Sequence, residues 1–554
     1  MNKLFKEQFL IPLFIIIITV FSLSAFFIRV FSTPPDRVFL GTQFYSDDFS
    51  VYNSVIEQGI KGNLFFTNKY STEPTPSSPL RFQYILLGKA GGILNLSAPQ
   101  IYHLSRVILG LIFLLTTYCF IKEILPGRKH RIIAFFLALF SIGLPVITDK
   151  GTIPRLLALP ELDILLRFFA QPHYQMASIS TLIIFILFLK YLKAPRIGYV
   201  LVSCLLGIFS SIADPSAMII ASCSLTIFYL AFFFLNNPSS FHDAILQLKK
   251  GFFFLFPFLV VILLVGVFLK SFETQEPWKT IFAWDKTNQF PITLSEYLLA
   301  IGTTVFLAPF AFISLLFHRK SFKSITLLPL FWIIITFLLV FFLSPILGIN
   351  RVRFLHTPIF IPFAILAAYG LVWLSKCIPL IWEAAKSSPQ KNSRSLSASF
   401  IFISLLVILF ISLPACLASF NYQIREFPPS STLIYPTREQ FEGMMYLRNN
   451  TNKEDVVLAL YEAGSVIPFI SGNTVYAGNV TETLNYSNKT KQTTDFFQGV
   501  LSIPNARAFL NENHINYLFV GFQENQWQTD FSQYTFIKKL YENQSVKIFK
   551  NTLL

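Results

Sequence analysis

The sequence predicts an all-α polytopic membrane protein that carries a small α/β domain at its C-terminal end. Of the 554 residues, 53% are hydrophobic and only 13% are charged, whereas soluble globular chains carry about 25% charged residues. The apolar residues form long blocks, and a helix needs about 20 such residues to cross a bilayer. After residue 424 these blocks stop, and short apolar segments alternate with polar ones. We therefore predict a membrane domain at 1–424 and an α/β domain at 425–554.

The apolar blocks predict about eleven transmembrane helices. Their approximate ranges are 9–31, 101–122, 132–148, 173–192, 197–212, 216–235, 251–270, 294–317, 325–343, 357–375 and 398–419. No small-residue cleavage site follows the first block, so we interpret that block as a retained helix and not as a secretory signal.

Lysine and arginine residues indicate the orientation of these helices. They cluster in alternate connections, for example at Arg128–Arg131 and Arg319–Lys323. Cytoplasmic loops carry this excess of positive charge, so we expect a cytoplasmic N-terminus in the cell membrane. An odd number of helices then places the C-terminal domain outside the cell. The net charge of +15 follows from this pattern, and we do not interpret it as a sign of nucleic-acid binding.

The C-terminal segment has the alternation of a small α/β domain. We predict helices at 440–448 and 505–511, buried strands at 455–460 and 515–521, and an edge strand at 545–549.

The first outer loop, at 32–100, contains two adjacent carboxylates, Asp47 and Asp48. They precede a short amphipathic segment that ends at Gly59, and a second apolar segment follows at Leu80–Leu96. We predict that both segments form helices in the membrane interface. Carboxylates at this boundary can act as a general base, because partial desolvation raises their pKa. They can also cap the helix that follows, and the residues alone leave both alternatives open.

Two further outer loops contain charged residues that could contact a substrate. Those of the second loop are Lys150, Glu161, Asp163, Arg167 and His173. The last loop between helices contains Arg351 and Arg353, and arginine is well shaped to bind phosphate oxygens. The alternative is that these arginines reach toward lipid headgroups.

The sequence gives no positive sign of a cofactor. His103, His173 and His356 lie near outer helix ends but share no compact ligand spacing, which disfavours a divalent metal site. The sequence contains neither a phosphate-binding Gly-x-x-x-x-Gly-Lys loop nor a Gly-x-Gly-x-x-Gly turn. Chemistry outside the cell would therefore require a substrate other than a cytosolic nucleotide, and a lipid-linked substrate meets that requirement.

This arrangement resembles the GT-C membrane glycosyltransferases, which use polyprenyl-phosphate sugars, and in particular the protein O-mannosyl and aminoarabinose transferases. The resemblance covers most of the chain in layout. Asp47 and Asp48 stand where family members carry an acidic residue after the first helix. Glu73 with Pro79-Leu80 resembles a Glu-x-Pro-Pro-Leu stretch, although residues are inserted between them here. Arg351-x-Arg353 resembles the basic loop that binds the lipid phosphate.

The resemblance implies transfer of a sugar from a polyprenyl-phosphate donor to a hydroxyl of a glycan, lipid or protein acceptor. Asp47 or Asp48 would be the catalytic base of a metal-independent inverting reaction. Arg351 and Arg353 would bind the leaving phosphate, and the second-loop residues and Glu73 would contribute further substrate contacts. The alternatives are a flippase or transporter, and a polymerase or ligase, of lipid-linked glycans.

Overall fold

The computed structural model of the protein describes residues 7–42, 45–141, 143–148, 151–154, 162–235, 240–317, 326–386, 393–425 and 431–554. The chain forms two compact units. The first unit contains the residues through Ser24, Arg106–Phe268 and Asn288–Tyr422, and the second contains Ala25–Ser105, Leu269–Thr287 and Gln423–Leu554. The long loop at 32–100 therefore belongs to the same unit as the C-terminal domain.

Within the described residues, eight helical segments are long and apolar enough to cross a membrane. Seven are the helices α1 Glu7–Phe31, α4 Ala98–Ile124, α7 Pro172–Lys193, α9 Pro215–Leu235, α10 Phe241–Lys270, α16 Phe360–Lys386 and α17 Ser393–Arg425. The eighth joins α14 Leu327–Leu338, a π-helical turn Leu339–Leu343 and α15 Ser344–Leu347. A polytopic helical membrane fold is thereby confirmed, while the number eleven stays a prediction.

Two of the predicted spans differ in form. The helix expected over 294–317 is broken into α12 Leu294–Ile301 and α13 Thr304–Phe317, which are bent by 85°. Gly302 lies at the break with a φ of 85°, a conformation that glycine adopts readily because it lacks a Cβ atom. The prediction of a helix over 132–148 is wrong for the residues that follow α5, which spans Arg128–Phe140. After α5 the chain forms a hairpin of β1 Pro145–Thr148 and β2 Gly151–Pro154.

The first unit has a continuous apolar core, in which Trp332 is fully buried. Its indole packs edge-on against Phe185 and Phe120, with ring centroids 5.2 and 6.1 Å away. The unit also contains α6 Ile164–Arg167 and α8 Ile197–Ala213. Polar residues at the ends of α6–α9 and just before α16 are thus attached to a packed helical framework.

The second unit contains the helices of the first loop, one short helix of a later connection, and the α/β domain. Its helices are α2 Ser46–Ile60, α3 Phe82–Leu94, α11 Trp278–Thr287, α18 Arg438–Asn450, α19 Tyr461–Ile470, α20 Tyr486–Phe497 and α21 Ile503–Glu512. A Cβ atom on Gly88 would lie 2.1 Å from the Ile56 carbonyl oxygen, so the close approach of α2 and α3 requires glycine there. Phe49 of α2 packs edge-on against Phe469 of α19 at 6.2 Å.

A five-stranded sheet, ordered β4-β3-β5-β7-β6, forms the centre of the α/β domain. Its strands are β3 Val456–Leu458, β4 Thr474–Val475, β5 Ile515–Val520, β6 Ile537–Glu542 and β7 Lys547–Asn551. The first three are mutually parallel, because β3 pairs in parallel with both β4 and β5. The loops that follow these three strands therefore lie at the same end of the strands.

The predicted strands at 455–460 and 515–521 and the helices at 440–448 and 505–511 are confirmed. The predicted edge position of 545–549 is wrong, because β7 pairs on both sides, with β5 and with β6. The edge is formed instead by β6, whose side chains are largely exposed.

Candidate functional site

Asp47 lies in the first turn of α2 and is held by a side chain of the C-terminal domain. The hydroxyl of Tyr461, the first residue of α19, lies 2.7 and 2.9 Å from the two carboxylate oxygens of Asp47. The loop after β4 also reaches this residue, because the Asn479 amide donates to the Asp47 carbonyl over 3.4 Å. No side chain caps α2 at its N-cap residue, Tyr45. The Asp47 carboxylate is therefore engaged by the C-terminal domain.

The surroundings of Asp47 favour proton transfer. Burial raises the pKa of its carboxyl above the ordinary value, and the hydrogen bond from Tyr461 opposes part of that rise. The side chain is nonetheless only partly buried. A base works best when its pKa moves toward the operating pH, and Asp47 is shifted in that direction.

Asp48, the other carboxylate of the pair, faces a different environment. Its charge acts on Arg81, which forms a two-pronged ion pair with Glu482 at 3.1 and 2.5 Å. The Arg81 guanidinium also lies over the rings of Phe66 and Trp278, at 4.9 and 5.1 Å. Asp48 therefore contributes to the electrostatics of a buried structural ion pair.

Glu73 is paired with a lysine of the C-terminal domain. The Lys489 ammonium lies 2.6 Å from a Glu73 carboxylate oxygen, and Ser71 donates to the same oxygen over 2.5 Å. Burial would raise the pKa of Glu73, but these two partners outweigh it and lower that pKa. An ionised, paired carboxylate is suited to holding the first loop in place. The contact of Glu73 with a substrate stays a prediction.

In the first unit, residues from separate connections form a second polar group, which we name the basic cluster: Arg167, His173, Tyr174, Asp214, Arg353 and His356. Three of its members surround Tyr174, since the Arg167 guanidinium lies 4.9 Å from the ring centroid and the rings of His173 and His356 lie at 3.9 and 4.1 Å. Ser216 ties two connections together. Its hydroxyl lies 2.5 Å from an Asp214 carboxylate oxygen and 2.7 Å from the Arg353 carbonyl oxygen.

Asp214 and His356 form the buried anchor of the basic cluster. His356 Nδ1 lies 3.2 Å from the Asp214 carboxylate. Burial would raise the pKa of Asp214, but His356 and Ser216 outweigh it and hold that pKa well below its ordinary value. Burial lowers the pKa of His356 against the opposing effect of Asp214. Both shifts fit a neutral imidazole that donates from Nδ1 to an ionised carboxylate.

The remaining predicted residues are distributed as follows. Arg351 and Arg353 lie in a 3₁₀ helix, Arg351–Leu355, and both are partly exposed. Asp163 is buried, caps α6 through the Leu165 backbone N–H and accepts a hydrogen bond from Ser419. Burial raises its pKa to about 6 against those hydrogen bonds. Lys150 and Glu161 lie outside the described residues.

Four residues of these two groups were not predicted as site members: Tyr461, Tyr174, Asp214 and His356. Tyr461 is separated from Asp47 by 414 positions, and His356 from Asp214 by 142. Only the tertiary fold brings such distant residues together, so no local spacing in the sequence could have identified the pairs.

Comparison with known proteins defines the class of fold. No family model matches the sequence, and no curated protein matches it at a significant level. Solved structures match over nearly the whole chain, and the chain shares their fold.

Three solved structures illustrate this likeness. The oligosaccharyltransferase of Archaeoglobus fulgidus, in its apo form, matches with a TM-score of 0.59 and 13% identity, over 99% of this chain and 75% of that one. ArnT of Cupriavidus metallidurans, bound to undecaprenyl phosphate, gives 0.52 and 11%, over 99% and 98%. The mycobacterial arabinofuranosyltransferase AftD gives 0.53 and 13%, over 98% of this chain and 41% of that one.

The archaeal oligosaccharyltransferase has also been solved with zinc and sulfate, which raises the question of a metal here. In the part of the chain that the structure describes, no three His, Cys, Asp or Glu side chains are grouped so as to hold a metal ion. Asp47 is engaged by a tyrosine and Asp214 by a histidine and a serine.

Proposed function

We propose that this protein is a membrane glycosyltransferase that transfers a sugar from a polyprenyl-phosphate donor to an acceptor hydroxyl at the outer face of the cell membrane. Its N-terminus would be cytoplasmic and its C-terminal domain extracytoplasmic. The observation that carries the proposal is the Asp47 carboxylate, partly buried and raised in pKa, in the first loop of a GT-C fold.

Asp47 is the proposed general base, and Asp48 has a supporting electrostatic role. Asp47 meets two requirements of a base, because it is accessible to substrate and its pKa is raised. Asp48 lies beside the Arg81 and Glu482 pair, where its charge is better suited to stabilising that arginine. These contacts support Asp47, and not Asp48, as the base.

The basic cluster is the proposed phosphate site. Arg167 and Arg353 supply permanent positive charge, and the Asp214–His356 pair fixes the segment that carries Arg353. Arg351, in the same 3₁₀ helix, would add a second partly exposed guanidinium. Dolichol-phosphate and undecaprenyl phosphate are bound by the archaeal oligosaccharyltransferase and by ArnT respectively, which supports a polyprenyl-phosphate donor here.

The proposed reaction is an inverting displacement. The acceptor oxygen attacks the anomeric carbon, the bond from that carbon to the phosphate oxygen breaks, and the acceptor proton passes to Asp47. The polyprenyl phosphate leaves with the electron pair of the broken bond. Arginines that contact the phosphate stabilise the negative charge that develops on it.

The test is a transfer assay with the full-length protein reconstituted in lipid vesicles. Undecaprenyl phosphate carrying a radiolabelled sugar is the donor, and membrane extracts of the host supply acceptors. We expect loss of label from the donor with the wild type, and far less with Asp47→Asn. Asp36→Asn is the matched control, because this first-loop carboxylate is 70% exposed.

Full activity of Asp47→Asn would overturn the catalytic assignment. Movement of intact labelled donor across the bilayer without sugar transfer would instead support the flippase alternative and overturn the proposal. Joining of preassembled glycans, with no use of the single-sugar donor, would support the polymerase or ligase alternative.

A further inference from the structure

The helix that presents Tyr461 begins without a cap of its own. The first N–H groups of any α-helix lack partners within the helix. The N-cap residue of α19 is Leu460, whose side chain cannot accept a hydrogen bond. Hydrogen-bond acceptors from outside the helix must therefore bind the backbone N–H groups on either side of Tyr461.

The loop after β5 supplies those partners. Glu524 accepts a hydrogen bond from the Leu460 N–H at 2.6 Å, and Gln523 accepts one from the Glu462 N–H at 3.1 Å. The two hydrogen bonds fall on the residues immediately before and after Tyr461. The second Glu524 oxygen accepts from the Gly521 N–H at 3.0 Å, which fixes the carboxylate within its own loop.

The sheet topology explains why this loop can reach α19. Since β3, β4 and β5 are parallel, the loops that follow them all lie at the carboxyl ends of these strands. The β3 loop presents Tyr461, the β4 loop presents Asn479, and the β5 loop presents Gln523 and Glu524. The first two loops contact Asp47 directly, and the third contacts only the backbone that flanks Tyr461.

We propose that Glu524 and Gln523 are positioning residues, which hold Tyr461 against Asp47 by capping the N-terminus of α19. This inference rests on the proposed function, in which Asp47 is the base. Glu524 is only 2% exposed and is separated from Asp47 by Tyr461, so it acts through the tyrosine and not on the substrate. A buried carboxylate that binds two backbone N–H groups is costly to place, and fixing Tyr461 gives it a role.

The first measurement is hydrogen exchange by mass spectrometry on the full-length protein in lipid nanodiscs. Glu524→Gln replaces one carboxylate oxygen of the cap by an amide nitrogen. Gln523→Ala removes the uncharged side chain that accepts from the Glu462 N–H. We expect at least tenfold faster exchange in peptides that contain Leu460–Glu462 for each variant. The control is Asp530→Asn, because Asp530 is an exposed carboxylate that caps a short 3₁₀ helix in the same domain. Unchanged exchange in both capping variants would overturn the proposal.

The second measurement is the pH dependence of sugar transfer. Loss of the Tyr461 hydrogen bond raises the pKa of Asp47, since that bond lowers it. Glu524→Gln and Tyr461→Phe should therefore both move the acid limb of the kcat profile to higher pH. In the Tyr461→Phe background, Glu524→Gln should cause no further movement.

A merely structural role for Glu524 gives a different result. Partial unfolding of the domain would lower activity equally at every pH, and its effect would add to that of Tyr461→Phe. That outcome would overturn the positioning role. If the wild type transferred no sugar from any polyprenyl-phosphate donor, the proposed function would fail, while the exchange measurement would still decide whether these residues cap α19.

Discussion

Asp47 in the second unit and Asp214 in the first are both hydrogen-bonded to other side chains. Their surroundings nevertheless shift their pKa values in opposite directions. Asp47 is partly exposed and accepts a hydrogen bond from a neutral tyrosine, so burial prevails and its pKa rises. Asp214 is 4% exposed and is held by His356 and Ser216, which outweigh burial and lower its pKa. The first environment favours gain of a proton in a reaction, and the second keeps the charge fixed.

The comparison teaches that burial alone does not identify a catalytic carboxylate. Asp163 and Glu524 are at least as buried as Asp214, and burial raises their pKa values to about 6 and about 7. Both nevertheless accept backbone hydrogen bonds at helix starts and face no open surface. Partial exposure to solvent, together with a raised pKa, distinguishes Asp47 from these three.

The largest expected effect is on catalysis by Asp47→Asn. General bases contribute roughly 10²–10⁴-fold to a rate, and we expect kcat for sugar transfer to fall by that range. Asp48→Asn should reduce kcat by less than about tenfold, because Asp48 acts on Arg81 and not as the base. The measurement is initial rate at saturating donor. Equal losses in the two variants would contradict the distinction between the carboxylates.

Removal of Asp214 should have its main effect on stability. Removing Asp214 leaves the buried, neutral His356 and the Ser216 hydroxyl without their acceptor, and an unsatisfied buried polar group costs about 1–3 kcal/mol. We expect Asp214→Ala to lower the free energy of unfolding in detergent by about that amount, as measured by denaturant titration. Asp36→Ala, at an exposed site, should change it by less than about 0.5 kcal/mol. A stable Asp214→Ala protein would show that the pair is not an anchor.

A smaller effect is expected at the basic cluster itself. Arg353→Gln removes the charge but keeps a polar side chain of similar length. A hydrogen bond to a charged group contributes about 1.5–3 kcal/mol, so we expect KM for the polyprenyl-phosphate donor to rise at least about tenfold. Arg425→Gln, at an exposed arginine, is the matched control. An unchanged KM for both Arg353→Gln and Arg167→Gln would exclude the cluster as the phosphate site.

The sequence predicted the membrane helices well because a span of about 20 apolar residues is a local property. It also identified the strands β3 and β5, whose side chains are buried and apolar. It missed β6, whose sequence IKKLYE is mostly exposed and charged, and this omission made β7 look like an edge strand. The break at Gly302 was missed as well, because an isolated glycine in an apolar block does not reveal its φ angle.

Prediction of the site was limited in a different way. Asp47, Arg353 and Arg167 were selected as candidates because charged residues near apolar blocks are conspicuous. Tyr461, which contacts Asp47, and His356, which contacts Asp214, were not selected, because a tyrosine or a histidine is ordinary until the fold places it beside a carboxylate. The C-terminal domain was predicted only as a small α/β domain at 425–554. Its direct hydrogen bond to Asp47 is a property of tertiary structure that no local pattern encodes.

The smallest expected effect is a shift in pH dependence that tests how Asp47 is tuned. Asp47 acts as a base only when ionised, so activity should fall as the pH falls through its pKa. The Tyr461 hydrogen bond lowers that pKa, and Tyr461→Phe should therefore move the acid limb of kcat to higher pH while the plateau changes little. Tyr486→Phe is the control, since Tyr486 lies in the same domain and has no hydrogen bond to Asp47 among those described. A limb displaced to lower pH would mean that the Tyr461 ring raises the pKa of Asp47 by burying it more than the Tyr461 hydroxyl lowers that pKa, and the proposed tuning by the hydrogen bond would be wrong.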